Sequence, residues 1–375
     1  MITSYNINSF QFFVLVLFFT IGSSIIFVPS HLAQHSEQDA WIASIMGILG
    51  SIVIVYMYTL LAGWFPGLNY IAINKKIFGG FLGSIFSIFF IILVIIFAAI
   101  LLADAGSFLT TQMLPKTPPV IINALLAFLV VVALRLGLNT LALSAEILLF
   151  IFLIFFSFLV LSTLSIVDTH NLLPVFQKNI GTLADSSLFY IVISTTNSLV
   201  LLMVYPYVSE GVKKAKKAYL FGNFVGGVLV FIVTILCIAV LSAPLTSRLT
   251  YPSYYLAKQI TIGDAVSRIE ALMAGIWIIS IFLKLCLYFF AAIFGIVHLF
   301  RLKNYKLLCY PIGIIVTALS IIIFPNVVVQ RNFVGSTVVS MSIFGFLFIP
   351  ILMMLVYSIR RKSLKAQNKT LETDP

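Results

Sequence analysis

Polar residues interrupt two long apolar segments of this chain, and they are the first candidates for a binding site. Gly22-Ser23-Ser24 lies within the apolar segment 10–31, and Ser194-Thr195-Thr196-Asn197-Ser198 lies within the segment 186–208. Both interruptions fall near the middle of a membrane if each helical residue rises by about 1.5 Å. Interrupted membrane helices in corresponding positions of two halves are typical of a transporter binding site. The sequence therefore predicts a small-molecule site inside a membrane.

The first interruption has the residue types that a broken, ligand-facing helix needs. Gly22 permits unwinding, and the hydroxyls of Ser23 and Ser24 can bond the backbone groups that unwinding frees. The N–H groups from Ile25 onward would point at an anionic ligand group, because a helix N-terminus carries partial positive charge. Close packing of helices through small residues is the alternative. The second interruption at the matching position favours the ligand-facing interpretation.

The second interruption places five polar residues in a row. Consecutive side chains are about 100° apart around a helix, so these five cannot all face one partner. We therefore predict that Thr195, Thr196 and Asn197 line a pocket, or that the helix opens there. Carbonyl groups freed at these residues would accept hydrogen bonds from a ligand ammonium group.

Two charged residues lie well inside apolar segments. A charge at mid-membrane costs about 2.5–3.5 kcal/mol on insertion scales, and such residues are by default functional candidates. Lys284 either binds a carboxylate or substitutes for a coupling cation, with snorkelling to the surface as the alternative. Tyr288 lies one turn further along the same face. Asp104 either pairs with Lys284 or binds an amino group.

Other residue patterns do not favour chemistry. No nucleophile–base pair, phosphate loop or pair of catalytic carboxylates is evident, so no enzyme activity and no cofactor are predicted. His31 and His35 have helical spacing, but they follow Pro29 in a predicted outer loop, and metal binding is not expected there. Arg135 and Glu146 predict a structural ion pair.

Composition sets the fold class. The residues are 62% hydrophobic and 9% charged, whereas soluble domains carry about 25% charged residues. A spanning helix needs about 20 mostly apolar residues. The sequence predicts an all-α integral membrane protein with ten transmembrane helices, at 10–31, 41–62, 82–109, 119–136, 143–166, 186–208, 219–241, 270–299, 306–324 and 335–358.

The distribution of basic residues predicts the orientation. With the N-terminus inside, 15 of the 22 Lys and Arg residues fall in inner loops and the tail, and six fall in outer loops. This asymmetry fits the positive-inside rule with both termini cytoplasmic. The net charge of +11 therefore reflects topology and not nucleic-acid binding. We predict a permease-like domain over 1–358 and a short basic cytoplasmic tail over 359–375.

Two loops carry apolar residues that predict surface helices. The outer stretch Tyr251–Lys258 is predicted to form an amphipathic helix along the membrane surface. The inner stretch Leu68–Gly80 is either an interfacial segment or an ordinary basic loop.

The region before and within the eighth span carries a recognisable pattern. It consists of Tyr251-Pro252-Ser253-Tyr254-Tyr255-Leu256-Ala257-Lys258, then Asp264, Arg268-Ile269-Glu270-Ala271, Trp277 and Lys284. In this pattern, in the Pro29 ending of span 1 and in the ten-span layout, the chain resembles the spore-germination permeases. These are the B subunits of germinant receptors in endospore-forming bacteria. Only the Arg268–Trp277 region is specific as a motif.

The resemblance implies a fold of the amino acid–polyamine–organocation transporter type, with an inverted five-plus-five repeat and discontinuous helices 1 and 6. It also implies a receptor that binds a germinant, an amino acid or a nucleoside, beside A and C subunits in the inner spore membrane. A secondary amino-acid transporter is the alternative, since both functions would use one pocket. The preference for the sensor depends on the resemblance alone.

The most specific hypothesis concerns depth in the membrane. Seven residues fall near mid-membrane by counting along their spans, and we predict that they converge on one ligand pocket: Gly22, Ser23, Ser24, Thr195, Thr196, Asn197 and Lys284.

Overall fold

The structure is a computed structural model that describes residues 6–260, 269–324 and 326–372. Nearly all of these residues are helical, and the only β-structure among them is one isolated bridge. Within the described ranges, eight helical segments are long and apolar enough to cross a membrane, and Ser9–Ile21 and Lys306–Ile322 are shorter apolar helices. The all-helical membrane fold is as predicted. The count is eight and not ten because Ser24–Trp64 joins the end of predicted span 1 to span 2 in one nearly continuous run, and because predicted span 9 forms the shorter helix Lys306–Ile322.

The first half of the chain contains one broken helix and five further helices that follow it. Their bounds are α1 (Ser9–Ile21), α2 (Ser24–Ser36), α3 (Ala40–Trp64), α4 (Tyr70–Phe78), α5 (Gly80–Gln112), α6 (Pro119–Leu136) and α7 (Leu138–Thr163). Helix α1 starts at a capping box: the Asn8 side chain accepts from the Gln11 N–H at 2.7 Å, and the Gln11 side chain accepts from the Asn8 N–H at 3.0 Å. This cap fixes where the first membrane helix begins.

The second half again begins with a broken helix. Its helices are α8 (Ile180–Ser194), a 3₁₀ helix (Thr196–Met203), α9 (Val212–Leu241), α10 (Ala243–Arg248), α11 (Pro252–Lys258), α12 (Glu270–Phe300), α13 (Lys306–Ile322), α14 (Val327–Gly335), α15 (Thr337–Ser342), a π-helical segment (Ile343–Phe348) and α16 (Ile349–Glu372). The run from α15 to α16 corresponds to the last predicted span.

The broken helices and α12 form the centre of the bundle. In the most apolar part of Ile180–Met203, 89% of the residues are buried, and in Glu270–Phe300 the share is 83%. In Leu138–Ile166 it is 28%, so that helix lies at the periphery. A helix that is apolar all round must be buried in protein or in lipid. The central position of α12 therefore allows its polar residues to meet both breaks.

The start of α1 is bonded to the chain that follows the 3₁₀ helix. The Ile7 N–H donates to the Tyr207 carbonyl, and the Ser209 N–H donates to the Ile7 carbonyl, both at 3.0 Å. The Ser9 hydroxyl also donates to Glu210 at 2.7 Å. We call residues 6–9 and 207–210 the N-terminal clasp, and the end of the bundle where it lies the N-terminal side.

Helix α2 corrects the predicted end of span 1. It continues through Pro29 to Ser36, so the placement of His31 and His35 in an outer loop is wrong. Proline deprives the Ile25 carbonyl of a helical partner, but membrane helices tolerate this where neighbouring helices surround them. The His31 ring stacks on Phe189 with 3.4 Å between ring centres. Neighbouring helices thus hold α2 beyond the proline.

Two other sequence predictions, a surface helix and an ion pair, are wrong. Helix α11 forms within Tyr251–Lys258, but five of its seven residues are buried, so it does not lie along the surface. Arg135 forms no ion pair with Glu146 among the described residues, and its guanidinium lies 4.5 Å from the Tyr310 ring centre. Of the resemblance pattern, Asp264 and Arg268 fall outside the described residues.

Candidate functional site

The first break separates α1 from α2 at Gly22 and Ser23. The Gly22 N–H is the last to bond back into α1, donating to the Phe18 carbonyl at 2.9 Å. A Cβ atom at position 22 would overlap Cδ of Lys284 and lie 3.2 Å from its Nζ. Glycine is needed here because the Lys284 side chain from α12 passes directly against the backbone.

Helix α12 holds this break through two polar side chains. Lys284, only 1% exposed, donates from Nζ to the Ser23 hydroxyl at 3.3 Å and lies 4.9 Å from the Phe19 ring centre. Ser280, one turn earlier, donates to the Gly22 carbonyl at 3.4 Å. The buried Ser24 hydroxyl has no hydrogen-bond partner among the described residues. The first N–H groups of a helix such as α2 also lack partners within it. The break therefore retains unused hydrogen-bonding capacity.

The second break lies between Ser194 and Thr196, and its side chains bond mainly to surrounding helices. The Thr195 hydroxyl donates to Ser51 of α3 at 2.9 Å and accepts from Asn223 of α9 at 3.0 Å. The same Asn223 amide donates to the Thr20 hydroxyl of α1 at 3.2 Å. Thr195 is thus part of a polar network that joins three helices.

Aromatic hydroxyls satisfy the backbone of the second break. Tyr58 donates to the Thr196 carbonyl at 2.9 Å, and Tyr219 donates to the hydroxyl and carbonyl of Ser198. The Thr195 carbonyl accepts from the Ser198 N–H at 2.9 Å. Buried polar groups need such partners, because an unpaired group in a membrane interior is costly. The second break is consequently braced.

A small cavity lies between the two breaks. Its volume is about 30 Å³, which suits a water molecule and not an amino acid. Apolar side chains form much of its wall, including Phe27, Phe97, Ile193, Val334 and Val338. The polar side chains that reach it are Ser23, Asp104, Asn197, Lys284 and Tyr288.

Asp104 and Lys284 face the same cavity without forming an ion pair. The ion pairs within 4.0 Å among the described residues are Lys178 with Glu37 and Lys214 with Glu210. Asp104 instead accepts from the Gln330 amide at 2.5 Å. The direct pairing of Asp104 with Lys284, one of the two predicted alternatives, does not form in this conformation.

A larger vestibule of about 400 Å³ lies on the side of the bundle away from the N-terminal side. Phe27 and Val334 line both the vestibule and the small cavity, so they separate the two spaces. Gln330 also lines the vestibule while it bonds Asp104. The vestibule is not among the features predicted from the sequence. Its signal is the polar spacing of Ser30, His31 and Gln34, which becomes a helical face only once α2 is known to continue past Pro29.

The ten predicted ligand-binding residues lie in three places: at or beside the small cavity, in the first turn of α2, and in hydrogen bonds of the second break. Ser23, Asp104, Asn197, Lys284 and Tyr288 meet at the cavity, while Gly22 packs against Lys284 beside it. Ser24 and Ile25 are buried in the first turn of α2, and Thr195 and Thr196 bond to the scaffold. That these residues bind a ligand stays a prediction.

Solved transporters share this fold. The chain is similar to MhsT, solved in complex with L-phenylalanine, with a TM-score of 0.68 at 13% identity over 94% of this chain and 98% of that one. It is also similar to the nucleobase-cation-symport-1 family transporter Mhp1, with a TM-score of 0.65 at 12% identity over 91% of this chain and 76% of that one. The chain therefore has the fold of these membrane transporters, with its polar cavity between two broken helices.

Sequence comparison places the chain within a family of that fold. The family described as Spore germination protein matches residues 6–328, and the chain belongs to this family. Spore germination protein KB of Bacillus subtilis (strain 168) is 30% identical over 84% of each chain. Spore germination protein YndE of the same organism is 22% identical over 96% of this chain and 98% of that protein. The resemblance predicted from the sequence is thus confirmed.

Proposed function

We propose that this chain is the germinant-sensing B subunit of a spore germination receptor and that it binds an amino acid at the cavity between the two breaks. Membership of the spore germination family supports the sensing role. The transporter fold supports binding at mid-membrane, where discontinuous helices expose polar groups. No catalytic step is part of the proposal.

One observation carries the choice of an amino acid: Lys284 and Asp104 line one cavity and are not paired with each other. Both are at least 96% buried, and each has a neutral hydrogen-bond partner, Ser23 or Gln330. A buried charge is stable when an opposite charge and hydrogen bonds compensate it. An amino-acid zwitterion carries both opposite charges on one small molecule. A nucleoside, the other germinant class, carries neither and fits this pair less well.

The proposed pose uses each charge separately. The ligand carboxylate lies at the first turn of α2, where it accepts from Ser23, the N–H groups near Ile25 and Lys284. The ligand ammonium lies at Asp104, displacing the Gln330 amide. This pose differs from one in which carbonyls of the second break bind the ammonium, because Tyr58 and the backbone already bond those at Thr195 and Thr196.

Ligand entry requires the cavity to open towards the vestibule. The cavity of about 30 Å³ is too small for the ligand, whereas the vestibule of about 400 Å³ accommodates it. Phe27 and Val334 must separate for the ligand to pass between them. Since Gln330 and Val334 both belong to α14, release of Gln330 from Asp104 couples ligand binding to movement of α14.

Matched ligand analogues test the pose in purified full-length protein in lipid nanodiscs. The tightest binder from the neutral L-amino acids is compared with analogues that lack the amino group or the carboxylate. Asp104→Asn should weaken the amino acid at least tenfold, since a charged hydrogen bond contributes about 1.5–3 kcal/mol. Its affinity for the analogue without an amino group should stay within threefold of wild type. Lys284→Met should weaken the amino acid and leave the affinity for the analogue without a carboxylate within threefold. Asp185→Asn and Lys116→Met, at exposed positions, are the controls. Equal losses for both analogues would refute the pose.

A secondary amino-acid transporter is the second candidate function. The fold favours it, because similar solved proteins include a transporter described as a symport family member and a Na⁺-coupled sialic acid symporter. Proteoliposomes that contain this chain alone separate the two functions. Sustained accumulation of a labelled ligand would establish transport, while saturable binding without accumulation supports the sensor.

The proposal includes A and C subunits as partners, the inner spore membrane as the location and both termini in the cytoplasm. Cysteine labelling in a variant without Cys237, Cys286 and Cys309 tests the orientation. A cysteine at Lys178 should label from outside, and one at Lys365 only after permeabilisation. The reverse pattern would refute the orientation.

A further inference from the structure

The first turns of α9 present a face that changes from basic to apolar along its length. Lys213, Lys216 and Lys217 occupy the first two turns, and Phe221 and Phe224 follow. Residues three and four apart lie on one helix face, so these side chains form one stripe. Phe221 and Phe224 are 55% and 41% exposed. The stripe begins at the N-terminal side and continues onto the lipid-facing surface.

Two apolar grooves flank this stripe and meet at Lys217 and Phe221. One groove, of about 430 Å³, lies between α9 and α1 and is lined by Phe10, Phe13 and Ala218. The other, of about 480 Å³, lies between α9 and α3 and is lined by Ile52, Leu220 and Phe224. Lysines stand at the same end of both grooves. This arrangement matches a molecule with one anionic head and two apolar chains.

Of the four lysines at the groove ends, one is balanced by a carboxylate of the protein. Lys214 pairs with Glu210 at 3.0 Å, and a hydrogen bond from Ser9, followed by Lys214, lowers the pKa of Glu210, so this carboxylate remains ionised. Among the described residues, Lys213 and Lys217 form neither a hydrogen bond nor an ion pair.

Lys216 is already oriented, because its ammonium lies 4.2 Å from the Tyr56 ring centre. Lys213 and Lys217 therefore remain for an anion at the point where the grooves meet, and Lys216 adds its charge beside them while it contacts Tyr56.

We propose that this face binds an anionic phospholipid. Its phosphate lies on Lys213, Lys216 and Lys217, and one acyl chain follows each groove past Phe221. Basic pockets between membrane helices recognise anionic head groups by this combination of charge and apolar surface. The apolar grooves distinguish the site from a free-phosphate site, and the three clustered lysines distinguish it from general contact with the bilayer.

Native mass spectrometry of the full chain in detergent tests the proposal, with phosphatidylglycerol as the probe and phosphatidylcholine as the zwitterionic comparison. Wild type should retain phosphatidylglycerol at least tenfold better than phosphatidylcholine. The variant K213Q/K216Q/K217Q should lose this preference to within twofold. The variant R301Q/K303Q/K306Q removes equal charge from the loop after α12 and the first residue of α13, and it should keep the preference.

Several outcomes would overturn the site. They are equal retention of the two lipids by wild type, equal losses in the two triple variants, and displacement of the lipid by millimolar inorganic phosphate. The variant K213R/K216R/K217R should restore retention, which separates lost binding from misfolding. Phe221→Ala with Phe224→Ala should reduce retention several-fold with all lysines in place. Unchanged retention in that variant would refute the role of the grooves.

Discussion

The two broken helices perform different tasks although both interrupt a membrane span with small polar residues. At the first break, the Ser23 hydroxyl accepts from the amine of Lys284, and the buried Ser24 hydroxyl has no partner among the described residues. At the second break, Thr195 and Thr196 bond neighbouring helices or their own, and Tyr58 and Tyr219 bond the freed carbonyls.

The difference shows that a polar interruption is not by itself a ligand site. What matters is which hydrogen-bonding groups remain unused after the surrounding helices have taken theirs. The first break keeps such groups and borders the cavity, whereas the second contributes only Asn197 to it. We therefore expect substitutions at the first break and at Asn197 to affect ligand binding, and substitutions at the other residues of the second break to affect stability.

The largest effect is expected at Gly22. Gly22→Leu should abolish ligand binding, because its side chain would occupy the space of Lys284 and displace the amine from Ser23. Overpacking of this kind also costs about 1–3 kcal/mol of stability. Ligand binding and the thermal midpoint are measured together, with Gly63→Ala as the control because a Cβ there meets only Val212, at 3.9 Å. Wild-type ligand sensitivity in a normally expressed Gly22→Leu protein would place the pocket elsewhere.

Asn197 should show the next largest effect, since it is the one residue of the second break that reaches the cavity. Its side-chain oxygen accepts from the Ser342 hydroxyl at 3.0 Å and from the Thr196 hydroxyl at 3.3 Å. Asn197→Ala should weaken ligand binding about tenfold through the loss of one or two hydrogen bonds worth about 0.5–1.5 kcal/mol each. Calorimetric titration measures this, and an affinity within twofold of wild type would contradict the role.

Thr195 should affect stability and not affinity. Thr195→Val removes the hydroxyl that joins Ser51 and Asn223, and interhelical hydrogen bonds in membranes contribute about 0.6–1.7 kcal/mol. The thermal midpoint should fall while affinity stays within threefold. Thr317→Val is the matched control, because in the described part of the chain that hydroxyl bonds the Gly313 carbonyl of its own helix and no other helix. A tenfold loss of affinity in Thr195→Val would make the two breaks alike.

The smallest effect is expected at Ser24. Ser24→Ala removes an unpartnered buried hydroxyl, so the stability of the ligand-free protein should stay within about 0.5 kcal/mol of wild type or rise. Affinity should fall by a few-fold, because the hydroxyl lies in the first turn of α2 where the ligand carboxylate is proposed to bind. Ser253→Ala, which removes another buried unpartnered hydroxyl, should leave affinity unchanged. Identical behaviour of the two variants would exclude Ser24 from the site.

Hydropathy was sufficient to predict the bundle and the first break. Long apolar runs require helices in a membrane, and Gly22 followed by two serines disrupts such a run visibly. Apolar periodicity does not tell a protein-facing helix from a lipid-facing one, which is why α11 was predicted at the surface and is buried. Proline commonly ends helices in soluble proteins, so the sequence predicts the end of this helix near Pro29, whereas α2 continues to Ser36.

The partners of the second break could not be predicted from its own residues. Tyr58 and Tyr219 lie 138 and 21 positions from the carbonyls they bond, and tyrosine is common in membrane helices. Gln330 reaches Asp104 across 226 positions. Only the three-dimensional packing shows which polar groups are already bonded, and that decides the assignment of the site.

The N-terminal clasp joins the two broken helices to each other at one end of the bundle. Residue 7, just before α1, is bonded on both sides of position 208, shortly after the 3₁₀ helix. These backbone bonds fix the spacing of the two chains at one end, while the first break, which keeps unused hydrogen-bonding groups, is the point where α2 can bend relative to α1. We therefore expect α2 to move towards or away from the cavity while the clasped ends stay together. Neither broken helix can slide along the membrane normal without the other.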